Sequence, residues 1–223
     1  MGLRDLLKPF APKALVSHVR HGRAEAEHQR LLRFNQELPQ ELLADTRLFA
    51  HRELMLEAMP KGGKVAEIGV AQGAFSAKIL SICAPDELVL IDPWDADIEA
   101  YSENSYTAIQ RKMAAEIEAG QVTLARGYSG QMVPNYADDY FDWVYVDGAH
   151  DYASVKEDLA LCARVVKPGG VIAGHDYLRW VSGTDRYGVL EAVNEFMADT
   201  KSPMVFLTNQ YDKHDSFAFR LNK

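Results

Sequence analysis

The sequence is poor in cysteine: Cys83 and Cys162 are the only two, and each sits in an apolar helical pattern. That rules out a disulfide framework and reads as two buried free thiols in a reducing compartment. No apolar run is long enough to span a bilayer, and no signal-peptide core is visible, so the expectation is a soluble, cytoplasmic protein without a membrane partner. Positive charge is in deficit. The 24 Lys and Arg against 32 Asp and Glu give a formal charge of −8, which argues against a nucleic-acid partner, because a phosphate backbone asks for a basic surface. A local basic patch stays open. Also missing are GxGxxG, whose middle glycine admits a pyrophosphate, and GxxxxGK[ST], which cradles a triphosphate. Repeats and low-complexity tracts are absent too.

What is present suits one globular domain with a helical appendage, since 223 residues at 48% apolar and 25% charged can bury a substantial core. Residues 1–35 stand apart, with seven Lys or Arg against three acidic residues and His18, His21 and His28 interspersed. They read as an arm covering the domain. Homodimerisation through this arm and the helices after it is an open alternative. We therefore divide the chain into an N-terminal helical arm, 1–63, and a core domain, 64–223.

Helical patterns cover Ala24–Leu32 and Thr46–Met59, the second stopped by Pro60-Lys61-Gly62-Gly63. Strands and helices then alternate. Val65–Ile68 precedes a helix over Ala74–Cys83, and Leu88–Asp92 precedes one near Ser105–Glu118. Val122–Ala125 and Trp143–Val146 follow, then a helix over Tyr152–Val165, a turn at Lys167-Pro168-Gly169-Gly170 and a strand over Val171–Gly174. A helix over Val189–Met197 leads to strands Met204–Thr208 and Phe217–Leu221. Short apolar strands between helices predict a parallel sheet covered on both faces. Only a turn separates the last two, so they form an antiparallel hairpin. The fold class is α/β: a doubly wound, mostly parallel sheet of about seven strands.

Val65-Ala66-Glu67-Ile68-Gly69-Val70-Ala71-Gln72-Gly73 carries most of the functional information. It reads as a strand with an acidic residue near its end, a turn bearing Gly69 and Gly73, and the start of a helix. Leu88-Val89-Leu90-Ile91-Asp92 ends in a second carboxylate, suited to the two hydroxyls of a ribose. A cofactor with a ribose and no phosphates fits this pair best. Further on, Tyr145-Val146-Asp147-Gly148-Ala149-His150-Asp151-Tyr152 and Gly174-His175-Asp176-Tyr177 place ionisable groups just after two successive strands. Asp147 and Asp176, with His175, would suit a divalent ion: Mg²⁺ for the carboxylates, Mn²⁺, Fe²⁺ or Zn²⁺ with the imidazole. Helix capping by Asp147 or Asp151 is the structural alternative. Trp94, Tyr101, Tyr106, Tyr128, Tyr152, Tyr177 and Trp180 gather at the same edge and would line an apolar pocket.

In order and spacing these segments, with Leu90-Ile91-Asp92-Pro93-Trp94 and Pro168-Gly169-Gly170-Val171-Ile172-Ala173-Gly174, resemble a class I S-adenosylmethionine-dependent methyltransferase. The nearest branch is that of macrocin O-methyltransferase-like sugar methyltransferases, with catechol and caffeoyl-CoA O-methyltransferases more distant. The resemblance spans about Lys64–Tyr177. It implies S-adenosylmethionine as cofactor, with Glu67, Gly69 and Gly73 around its methionine part, Asp92 on the ribose, and Tyr128 and Ser129 near the adenine. It also implies Asp147, His175 and Asp176 as ligands of Mg²⁺ or Mn²⁺, and a small hydroxylated acceptor such as a sugar, phenol or natural product.

Where catechol-type relatives carry a catalytic lysine, three residues after Asp147, this chain has His150, a base suited to neutral pH. A helix N-terminus beside it is expected to keep that ring neutral. Asp147 and Asp176 complete the catalytic set. Two other readings stay open: N- or C-methylation of a small metabolite, and a noncatalytic cofactor-binding scaffold. The segments Pro93–Gln110 and His175–Gly188 extend from the ligand edge and are the expected specificity segments.

Overall fold

The computed structural model describes residues 37–94, 105–178, 181–182, 185–211 and 214–223. The basic arm, the helix expected over Ala24–Leu32, Tyr101, Trp180 and parts of both specificity segments lie outside them. In chain order the elements are β1 (Arg47–Phe49), α1 (Arg52–Ala58), β2 (Lys64–Ile68), α2 (Ala74–Cys83), β3 (Glu87–Asp92), α3 (Ser105–Lys112), α4 (Ala114–Glu118) and β4 (Val122–Arg126). Then come α5 (Ser129–Met132), β5 (Phe141–Val146), α6 (Tyr152–Val165), β6 (Val166–Gly174), the two-residue strands β7 (Val181–Ser182) and β8 (Asp185–Arg186), α7 (Val189–Thr200), β9 (Met204–Thr208) and β10 (Phe217–Arg220).

Among the described residues the main sheet has eight strands in the order β1-β9-β10-β6-β5-β2-β3-β4, with β7 and β8 forming a separate small ribbon. β10 runs antiparallel to both β6 and β9, while the other described pairs of the main sheet are parallel. This is the doubly wound, mostly parallel architecture with an antiparallel C-terminal hairpin that the strand pattern predicts. Alternation along each strand divides the core. Ala66, Ile68, Val144, Val146 and Ile172 face α6 and α7, whereas Val65, Leu90, Trp143, Tyr145 and Ala173 face α1, α2 and α3. Cys83 and Cys162 are free and buried in these two separate clusters. No helix among the described residues is long and apolar enough to cross a membrane.

The helix expected over Thr46–Met59 is corrected at its start. Arg47, Leu48 and Phe49 are instead the eighth strand, pairing in parallel with Phe206, Leu207 and Thr208. The open edge of β9 supplies backbone partners that a three-residue pattern cannot reveal. Phe49 meets Phe206 edge-on at 5.4 Å, and the Arg47 guanidinium lies over both rings. His51 then caps α1, its ring nitrogen accepting from the Leu54 N–H. The single helix expected near Ser105–Glu118 is broken at Met113 into α3 and α4. The turn at Lys167–Gly170 is a bulge inside β6, where Phe141 pairs with Val166 and Trp143 with Val171.

From β2 the chain passes to β3 on one side, while β5 adds on the other, so the sheet order reverses between β2 and β5. Crevices for ligands open at such reversals, outside the carboxyl ends of the strands. Here the two loops touch. The Asp147 N–H donates to the Ile68 carbonyl at 2.7 Å, and the Gly69 N–H donates to the Ile91 carbonyl at 2.9 Å. Gly69 has φ +86°, and a Cβ there would stand 2.0 Å from the Asp147 carbonyl oxygen. Gly69→Ala is therefore expected to cost at least about 3 kcal/mol, left-handed strain plus overpacking. Gly120→Ala, at φ +74° with nothing within 4 Å, should cost only about 1–2 kcal/mol. Urea denaturation of both variants checks this; equal costs would show that the close approach is not constraining.

Candidate active site

A cleft of about 920 Å³ lies over the carboxyl ends of β2, β3, β5 and β6. Glu67 enters it from the face of β2 that carries Val65, and is 1% exposed. The Ser76 hydroxyl on α2 donates to its carboxyl. Burial raises the Glu67 pKa to about 8 despite that bond, with the charges of Asp147 and Asp92 adding and Arg52 opposing. In the free protein at neutral pH this acid is mostly protonated.

Asp92, at the end of β3, is also buried. Its Oδ2 accepts from the Val70 and Ala71 N–H groups at 2.8 and 3.0 Å, and its Oδ1 from the Trp94 N–H at 2.7 Å. The carboxylate thus shapes the turn after β2 while facing the cleft. Gly69 lines the cleft. Gly73 does not; it starts α2 at φ +67°, and the place of its missing Cβ is taken by Ile109. Further along, Tyr128 is 54% exposed and Ser129 donates to Asp158 of α6. Burial raises Asp158 to about 6, against the bond from Ser129.

The other half of the cleft centres on Asp176. This residue follows β6 in the left-handed region, at φ +57°, and is 4% exposed. His150 Nε2 lies 2.9 Å from its Oδ2, His175 Nδ1 lies 3.3 Å from its Oδ1, and His214 Nδ1 bonds the same Oδ1. Burial opposes ionisation of Asp176, but the His150 and His175 bonds and charges outweigh it and hold the carboxyl far below its ordinary range. Tyr187 stacks on His150 at 4.9 Å, with 10° between the rings, and meets His214 edge-on at 5.2 Å.

Asp147 ends β5 with its Oδ1 3.7 Å from His175 Nδ1 and its Oδ2 3.5 Å from Arg52 Nη1. Burial raises its pKa, His175 lowers it and Asp176 raises it. Ligand atoms of Asp147, His175 and Asp176 lie within 4.8 Å of one another, close enough to hold one ion. The capping role belongs to Asp151, which accepts from the Ser154 N–H at 3.1 Å. The expectation for the His150 ring is reversed. Burial favours the neutral form, but the Asp176 bond and the charges of Asp176, Asp147 and Asp151 lift the pKa above 6.5. A directed bond to a carboxylate outweighs a helix terminus.

Four residues of this edge were not singled out by motif: Arg52, Asp158, Tyr187 and His214. For His214 a signal exists. His-Asp occurs at 150–151, 175–176 and 214–215, and each pair falls in a loop at this edge. Arg52 and Asp158 sit within ordinary helical patterns, and Tyr187 in a loop, with nothing local to mark them.

A methyltransferase-domain family matches residues 66–177. No curated protein sequence matches the chain. Among solved structures, the cofactor-bound Rv0187 from MTB is 17% identical, covering 91% of this chain and 88% of its own, with a TM-score of 0.55. The B. subtilis tRNA methyltransferase TrmK is 7% identical over 78% of this chain and 67% of its own, with a TM-score of 0.56. An O-methyltransferase family protein from Burkholderia thailandensis is 12% identical over 75% and 53%, with a TM-score of 0.52. At these identities the likeness is one of fold.

The raised pKa of Glu67 makes a prediction about stability. Its folded value of about 8 exceeds the unfolded 4.5, so its contribution is full below pH 4.5 and is lost as pH rises through 8. Relative to Glu67→Gln, which keeps an acceptor for Ser76 but cannot ionise, the wild type should lose about 5 kcal/mol from below that window to above it, at ~1.36 kcal/mol per unit. Denaturation of both proteins from pH 4 to 9 measures the difference, and parallel profiles would refute the assignment.

Proposed function

We propose that this chain, which belongs to the methyltransferase-domain family, transfers a methyl group from S-adenosylmethionine to a hydroxyl of a small molecule. The observation that carries the hydroxyl reading is the His150–Asp176 pair, 2.9 Å apart at the edge of the cleft. When bound, S-adenosylmethionine supplies an electrophilic methyl carbon on a positively charged sulfur. The remaining requirements are alignment, deprotonation and a place for charge.

Glu67 would meet the amino-acid end of the cofactor, whose cationic ammonium would favour the ionised carboxylate, release its proton to solvent and offset the burial penalty with an ion pair. Asp92 fixes the turn at Val70–Ala71 and would meet the ribose of the cofactor, with Tyr128, Ser129 and Asp158, which line the cleft, near its adenine. At the acceptor end, His150 with Nε2–H on Asp176 presents Nδ1 as base. It accepts the hydroxyl proton, and Asp176 stabilises the resulting imidazolium. Tyr187 holds the ring plane, and His175 and His214 hold Asp176.

The donor set of Asp147, His175 and Asp176 fits a divalent cation such as Mg²⁺ or Mn²⁺ in spacing and chemistry. A cation there would add Lewis acidity at the acceptor hydroxyl. A sugar or phenol hydroxyl accords with the resemblance in the sequence, and the charge of −8 favours a small acceptor over RNA.

His150→Ala should retain cofactor binding and lose about 10²–10⁴-fold in turnover, the usual span of acid–base catalysis. Because His150 must be neutral to act, kcat/KM should rise with pH through a value above 6.5. Asp176→Asn should shift that limb to lower pH. An unchanged rate in His150→Ala, with chemistry limiting, would move the proton transfer elsewhere. Exhaustive chelation should lower the rate, with recovery on adding Mg²⁺ or Mn²⁺. Full activity in metal-free protein, verified by elemental analysis, would leave Asp147 and His175 a role without metal.

A further inference from the structure

Arg52 lies outside the family-matched segment 66–177, yet its side chain reaches the cleft. Its position in the chain does not explain it. It opens α1, and a cation in the first turn opposes the helix dipole. Its guanidinium lies over the Phe75 ring at 4.3 Å, which sets its plane, and the Phe75 ring in turn meets Tyr145 at 4.3 Å. Its bond to Asp147 is 3.5 Å, well beyond the 2.7–2.9 Å of a strong charge-assisted pair. Its Nε is buried with no hydrogen-bond partner. The Tyr145 hydroxyl also bonds the guanidinium, but the buried Nε keeps a donor without a partner, and such a group is costly to leave so.

Across the same cleft stands Glu67, and no ion pair within 4.0 Å joins the two among the described residues. An acid and a guanidinium that share a cleft without pairing form the complement of an α-amino-acid zwitterion, ammonium to one and carboxylate to the other.

We propose that Arg52 is the anchor for the methionine carboxylate of the cofactor, working opposite Glu67. This rests on the cofactor reading above. The helix that carries Arg52 is itself fixed to the acceptor side. The Arg52 N–H donates to the Gln210 side chain at 3.4 Å, and the Gln210 N–H to Asp215 at 2.9 Å, beside His214. Seating the carboxylate therefore also ties the cofactor to the loop that holds Asp176 through His214.

Calorimetry with two probes tests it: S-adenosylhomocysteine, which carries the amino acid, and 5′-methylthioadenosine, which keeps the nucleoside and thioether but lacks it. Arg52→Met should weaken S-adenosylhomocysteine by about 10- to 100-fold and leave 5′-methylthioadenosine within about threefold, because only one probe has the carboxylate. Arg52→Lys, a charge without the fork, should fall between. Equal losses for both probes would overturn the proposal by making Arg52 a builder of the cleft, and an unchanged S-adenosylhomocysteine affinity would overturn it outright. Wild-type protein that binds neither probe defeats the cofactor reading itself, an outcome visible before any variant is made.

Discussion

The contact between the turn after β2 and the end of β5 is the constraint on which the cleft depends. Gly69 can approach the Asp147 carbonyl only because it has no Cβ, and the Asp147 N–H answers by bonding Ile68. Asp92 completes the arrangement from the neighbouring strand by accepting from Val70 and Ala71. Three carboxylates, Glu67, Asp92 and Asp147, are thereby held along one crevice at the point where the strand order reverses. Each is treated differently by its surroundings. Glu67 is buried against a single hydroxyl and held protonated, Asp92 is satisfied by backbone donors, and Asp147 faces Arg52 and His175.

Asp176 organises the other half. A buried carboxylate is stable only when its lone pairs are met by donors, and here three imidazoles meet them. They come from the loops after β5, β6 and β9, so one side chain ties three loops together. The same bonds that hold Asp176 ionised raise the basicity of His150. Carboxylate and imidazole are tuned as one unit, with Tyr187 stacked on the His150 ring.

The segment before β2 is part of the site. β1 extends the sheet beyond β9, with the Asn209 N–H on the Phe49 carbonyl. That pairing sets where α1 begins and so where the Arg52 side chain enters the cleft. A three-residue edge strand thus carries a consequence out of proportion to its length.

By itself the sequence determined most of the strands and helices from Val65 to Phe219, the largely parallel sense of the strands and the closing hairpin, because apolar runs of four to six residues between helices leave few alternatives. It did not mark the break at Met113, the short helix Ser129–Met132 or the β7–β8 ribbon. It also marked the strand ends at Glu67, Asp92, Asp147 and Asp176, since each follows such a run directly or nearly so. Tertiary structure alone decided what local pattern does not encode. Arg47–Phe49 became a strand because β9 offered an edge some 160 residues away. Arg52, Asp158 and His214 joined the site across contacts of 95, 29 and 38 residues. The protonation of Glu67 and the basicity of His150 likewise follow from burial and from directed bonds, quantities set only once distant segments have packed together.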